Sequence, residues 1–130
     1  MRSTLLLALI GLMSLEAAAA RETRRDAVPQ AFWGTWATGT DACKEKDKAI
    51  VLSAKAYSGP AGSCAIDYVI EVPGRGGAIY SARMRCSGSS GEAEKKTIAN
   101  LIIRSGKDGE ISAGPTFEAL ATYHRCSANP

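Results

Sequence analysis

Apolar and polar positions alternate most clearly in two stretches in the middle of the chain. Over 64–72, Cys64, Ile66, Tyr68, Ile70 and Val72 fall on one face, and Ala65, Asp67, Val69 and Glu71 fall on the other. Over 78–86, Ala78, Tyr80, Ala82, Met84 and Cys86 share a face, opposed by Ile79, Ser81, Arg83 and Arg85. A period of two predicts β-strands with one face toward a core. Residues 73–77, Pro-Gly-Arg-Gly-Gly, form a loop whose glycines tolerate positive φ. The two strands therefore predict a hairpin about Arg75. Its register sets Cys64 against Cys86, Ile66 against Met84, Tyr68 against Ala82 and Ile70 against Tyr80. A slip of one residue would turn every apolar side chain to the wrong face.

Elsewhere the pattern is shorter. Residues 31–38, Ala-Phe-Trp-Gly-Thr-Trp-Ala-Thr, are rich in aromatic and β-branched types and predict a first strand, ended by Gly39 and Asp41. Residues 49–52 are an apolar run that predicts a second strand, and 58–62 read as a turn. Residues 96–104 and 110–114 flank Ser-Gly-Lys-Asp-Gly, which predicts a second hairpin about an Asp-Gly turn. Over 117–126, Phe117, Ala119, Ala121 and Tyr123 alternate with Glu118, Leu120, Thr122 and His124, which predicts a last strand with some competing helical propensity at 118–121. About seven short strands separated by turns predict an all-β domain, either a small antiparallel up-and-down barrel or a sandwich.

The first 30 residues break this pattern. Arg2 precedes an apolar run over 5–15, and Ala18 and Ala20 supply the small-residue cleavage pattern. That order predicts a signal peptide over 1–20, cleaved after Ala20, and a secreted or periplasmic protein. The run is shorter than the about 20 residues a membrane span needs. Residues 21–30 are polar and charged and predict a flexible arm, leaving 31–130 as a single domain. The lack of an N-x-S/T sequon fits a bacterial periplasm.

An exported domain changes how the cysteines read. Cys43, Cys64, Cys86 and Cys126 are even in number, and no close pair offers a zinc knuckle, so a disulfide framework is expected. Spacing alone leaves three connectivities open. The hairpin register narrows them: directly opposed residues lie about 4.5–5.5 Å apart, within the about 4.4–6.8 Å that a bridge spans. Cys64–Cys86 is therefore expected, and Cys43–Cys126 follows by elimination.

The net charge of +3 is small and mixed along the chain. Nucleic-acid binding is not expected, because no basic patch is interleaved with stacking aromatics. Arg21, Arg24 and Arg25 cluster in the expected arm, and with Trp33 they are the candidate contacts for a protein partner. Catalytic groups are few. His124 is the only histidine, and a nucleophile–base pair would have to join it to a serine such as Ser81 or Ser112. Asp67 and Glu71 share a predicted face, but one turned to solvent, which does not suit a glycosidase pair. The 73–77 loop lacks the following helix that would make it a phosphate cradle. No free thiol, cofactor or metal is expected, and neither is an enzyme.

Phe32-Trp33-Gly34-Thr35-Trp36 carries a Gly-x-Trp on the first strand. This resembles the small up-and-down barrels of the lipocalin and avidin type. The resemblance implies that Trp36 plugs one end of a barrel and that Arg125, on the last strand, packs over it. In size the chain is more similar to the bacterial metalloprotease-inhibitor barrel, the Inh family, which is exported and carries a disulfide across the barrel wall. Cys64-Ala65-Ile66, through Tyr80-Ser81-Ala82, to Cys86 looks like that family's spacing. The likeness covers only part of the chain, which departs from the family in its second cysteine pair and its longer basic N-terminal segment. It implies an exported, monomeric, non-enzymatic protein-binding module, such as an inhibitor of a secreted hydrolase. The alternatives are a calycin-like binder of a small apolar ligand, with Ile66, Tyr68, Ile70, Met84 and Leu101 facing inward, or a structural envelope protein.

Overall fold

A computed structural model describes residues 21–39, 41–45, 48–60, 62–87 and 96–126. The expected signal peptide lies outside the described residues. Among them are nine strands: β1 (Thr23–Arg25), β2 (Gly34–Ala37), β3 (Ala49–Leu52), β4 (Ala56–Gly59), β5 (Gly62–Val72), β6 (Ile79–Ser87), β7 (Lys96–Ser105), β8 (Ile111–Gly114) and β9 (Ala121–Arg125). From β2 to β9 each strand pairs antiparallel with the next, and β9 returns to β2. Of the two architectures expected, the domain takes the closed up-and-down barrel, in which an eight-stranded wall has no open edge. No described helix is long and apolar enough to cross a membrane.

Inward-facing residues from all sides of the ring fill the core, with Trp36, Ile50, Leu52, Val69 and Ile103 among the most deeply buried. Both expected disulfides are present. Cys64–Cys86 crosses the β5–β6 hairpin with Cα atoms 4.0 Å apart, and Cys43–Cys126 joins the turn after β2 to the end of β9 at 5.7 Å. Ala37, Ala42 and Ala49 pack around the second bridge as a small satellite core.

The β5–β6 register follows the expectation at Cys64↔Cys86 and Ile66↔Met84, then departs from it. A bulge between Ile66 and Tyr68 leaves Asp67 unpaired, so Tyr68 lies opposite Arg83 and Ile70 opposite Ser81. The extra residue turns the rest of the strand over. Val69 enters the core at 0% exposure, and Tyr68, expected inside, carries the Arg24 guanidinium 4.0 Å above its ring. Asp67 stays outside, where it accepts a hydrogen bond from Arg85 at 2.9 Å. The bulge also separates Asp67 from Glu71, which sequence alternation had placed on one face.

The expected arm is part of the domain. β5 runs on past the end of β4, and this leaves backbone positions 69–71 open on that side. β1 fills them, with Thr23 opposite Glu71 and Arg25 opposite Val69. Val28 then enters the core at 2% exposure. Three further boundaries differ. Gln30–Phe32 is a 3-10 turn, so the strand expected from residue 31 begins at Gly34. β4 begins at Ala56, just ahead of the stretch read as a turn. Phe117–Ala119 is another 3-10 turn, and only Ala121–Arg125 of the last segment is strand.

Candidate functional site

One end of the barrel is closed by the turn that leads into β2. Phe32 is buried in this turn and meets Tyr80 edge to face at 5.3 Å. Trp36 stands behind it, and its indole N–H donates to the Phe32 carbonyl at 2.9 Å. The Arg125 guanidinium lies 4.2 Å from the Trp36 ring centre. The same fork donates to the carbonyls of Trp33 (2.6 Å) and Ala31 (2.7 Å). Arg125 can do this because β9 pairs with β2 with Arg125 opposite Trp36. Gly34 supplies the room: its φ is +129°, and a Cβ there would sit 2.8 Å from Arg125 Nη1. The plug implied for Trp36 and Arg125 is thus a packed assembly of one indole, one guanidinium and two backbone carbonyls.

A cavity of about 240 Å³ opens inside the barrel toward the end where β5 begins and β6 ends. The Cys64–Cys86 bridge, Met84 and Leu101 form part of its wall. Alanines at 99, 113 and 121 leave space where neighbouring inward positions carry Met84, Leu101 and Ile103. Pro115 and Ala119, from the turn between β8 and β9, make one lip. Among the described residues, none that lines the cavity is charged. Tyr57, Asn100 and Tyr123 are the polar residues among its described lining, and Asn100 is exposed. The Tyr57 ring lies back along its own strand over Gly59, where a Cβ would come within 2.5 Å of Tyr57 Oη. Burial, and then the nearby Tyr123 phenol, push the Tyr57 hydroxyl above the ordinary phenol range. The site therefore offers neutral donors in an apolar setting.

The candidate partner contacts each have their own neighbours. Arg25 is held by Glu71, with Nη2 at 2.9 Å, and Arg24 covers Tyr68. Arg21 is exposed at the start of the described chain. Trp33 is 38% exposed, and its indole N–H donates to the Val28 carbonyl at 2.8 Å. His124 faces the Glu110 carboxylate at 3.4 Å, and neither Ser81 nor Ser112 is hydrogen-bonded to it among the described residues. Of the expected inward set, Ile66, Met84 and Leu101 are in the core. The cavity residues Tyr57, Ala99, Ala121 and Tyr123 were not singled out from sequence. The one signal that could have found them is the run of alanines at inward positions of the last three strands. Compared with protein-family models, with curated proteins and with solved structures, the chain matches none.

Proposed function

We propose that this protein is an exported, non-enzymatic binder of a small, neutral and largely apolar ligand, held in the barrel cavity between Tyr57 and Tyr123. The observation that carries this reading is the cavity itself, lined mainly by apolar residues of the barrel wall. An apolar void of about 150 Å³ is enough to hold a benzene-sized molecule, and the volume here is about 240 Å³. A charged ligand would lose its hydration without finding a partner on this wall. The two disulfides fit a place outside the cytosol.

The test is native mass spectrometry of the mature, unreduced protein recovered from its own envelope or culture fluid, beside an Ala121→Leu variant. The added side chain should fill the void, so an adduct of a few hundred daltons on the wild type should be missing from the variant. The thermal midpoint should hold or rise. A wild type with no adduct, or a variant that keeps it, would overturn the reading.

A second reading is a protein-binding module, with inhibition of a secreted hydrolase as its sharpest form. It draws support from large apolar side chains left in solvent, chiefly Ile98 at 62% and Phe117 at 58% exposure. The pairing of β1 with β5 weighs against a free N-terminal arm as the inhibitory element. An adduct of whole-protein mass in the same spectra would favour this reading over the first.

A further inference from the structure

The β5–β6 and β7–β8 hairpins turn side by side, because β6 pairs with β7 with Ile79 opposite Arg104. Between the two turns lies a cleft of about 360 Å³. Its wall carries Arg75 from the first turn, Arg104 from the end of β7 and Lys107 from the second turn, with the hydroxyls of Ser105 and Ser112 beside them. Among the described residues, no carboxylate lines the cleft. Asp108 belongs to the second turn but is not part of the wall.

Among the described residues, Arg25, Lys48 and Arg85 each stand against a carboxylate. Arg75, Arg104 and Lys107 form no ion pair among the described residues. Three like charges around one concavity repel one another, and an anion entering the cleft relieves that repulsion. Arginine and lysine side chains are donors only, and serine hydroxyls can donate as well. The ligand that answers them is therefore rich in acceptors and negatively charged. A tetrahedral oxyanion presents oxygens to several donors at once, and a guanidinium fork matches two of them. The cleft exceeds the size of a bare oxyanion, which leaves room for the group that carries it.

We infer that this cleft binds a phosphate monoester group, at a site separate from the barrel cavity. The sequence reading set the 73–77 loop aside as a phosphate cradle because no helix follows it. The pairing of β6 with β7 supplies the missing donors instead, by bringing Arg104 and Lys107 beside the loop.

The experiment uses the mature, oxidised protein labelled with ¹⁵N and titrated at constant ionic strength with inorganic phosphate, then with glycerol phosphate. Backbone amide shifts should be confined to 74–77 and 104–107 and should saturate. Arg75→Gln, Arg104→Gln and Lys107→Gln should each weaken binding by about tenfold, the scale of one charge-assisted hydrogen bond. All three side chains are exposed, so the fold should persist, and an unchanged spectrum elsewhere checks it. Lys55→Gln, outside the cleft, should leave the affinity unaltered. Shifts that fail to saturate, that spread over the surface, or that persist in the triple variant would overturn the inference. Flotation with phosphatidylcholine vesicles containing phosphatidic acid separates the two sources of the group. Capture by the wild type and not by the triple variant assigns a lipid headgroup. Saturable glycerol phosphate binding without capture assigns a free phosphoester.

Discussion

Arg125 shows how much of this fold rests on single side chains. It is exposed, yet it holds the Trp36 ring and two carbonyls of the turn that closes the barrel. A cation over an aromatic face contributes about 0.5–1 kcal/mol at an exposed site, and charge-assisted hydrogen bonds add to it. Arg125→Ala should therefore cost about 2 kcal/mol, read as a lower midpoint of urea unfolding. Arg125→Lys should recover little of this, because an ammonium cannot stack flat on the indole and reach two carbonyls at once. A lysine variant as stable as the wild type would show that charge alone matters here. The partnership of Trp36 with Arg125 was expected only through the resemblance that Gly34-Thr35-Trp36 carries. The cavity was not legible, because it is made by side chains that are too small. Ala99, Ala113 and Ala121 read as ordinary apolar positions until the wall places all three around one space.

At the scale of elements, the bulge in β5 and the pairing of β1 are one event. The bulge turns Glu71 toward Tyr80, whose hydroxyl donates to Oε1 at 2.8 Å, while Arg25 of β1 donates to Oε2. Glu71 thus ties β1 to β5 and β6. Its carboxyl lies below its ordinary range, first through the Tyr80 hydrogen bond and then through that from Arg25. Such a group adds stability above its unfolded pKa and loses that contribution as the pH falls through its folded value. The amides of 23–25 should then exchange faster with deuterium as the pH drops below about 4.3, beyond the change in intrinsic rate. Glu71→Gln should remove that extra pH dependence, and a variant that keeps it would place the cause elsewhere. Alternation located β5 and β6, where inward and outward residues differ in polarity, and the Asp-Gly turn located the β7–β8 hairpin. Alternation failed at β1, whose side chains are all exposed. It failed again beyond Asp67, where Tyr68 and Val69 are both apolar enough to face the core and the bulge decides between them.

For the molecule as a whole, the two disulfides have different tasks. The β5–β6 seam runs the length of both strands, whereas the β2–β9 seam that closes the barrel pairs only Trp36 with Arg125 and Ala37 with His124. Cys43–Cys126 sits beside that short seam, reinforced by the Cys126 N–H donating to the Thr35 carbonyl at 2.8 Å. It also spans more chain, 83 residues against 22 for Cys64–Cys86. In the chain-entropy model those loops correspond to about 4.5 and about 3.4 kcal/mol. Seam length and loop length point the same way, so Cys43→Ala/Cys126→Ala should lower the unfolding midpoint further than Cys64→Ala/Cys86→Ala. The second pair carries a different signature, because its sulfurs line the cavity. Removing them should enlarge the space and change which ligands bind, while the wall stays closed through the remaining register. If the Cys64–Cys86 double variant proves the less stable of the two, then packing of these two buried cysteines, 7% and 9% exposed, outweighs loop closure. The barrel would then be held more by its filled interior than by the staple across its seam.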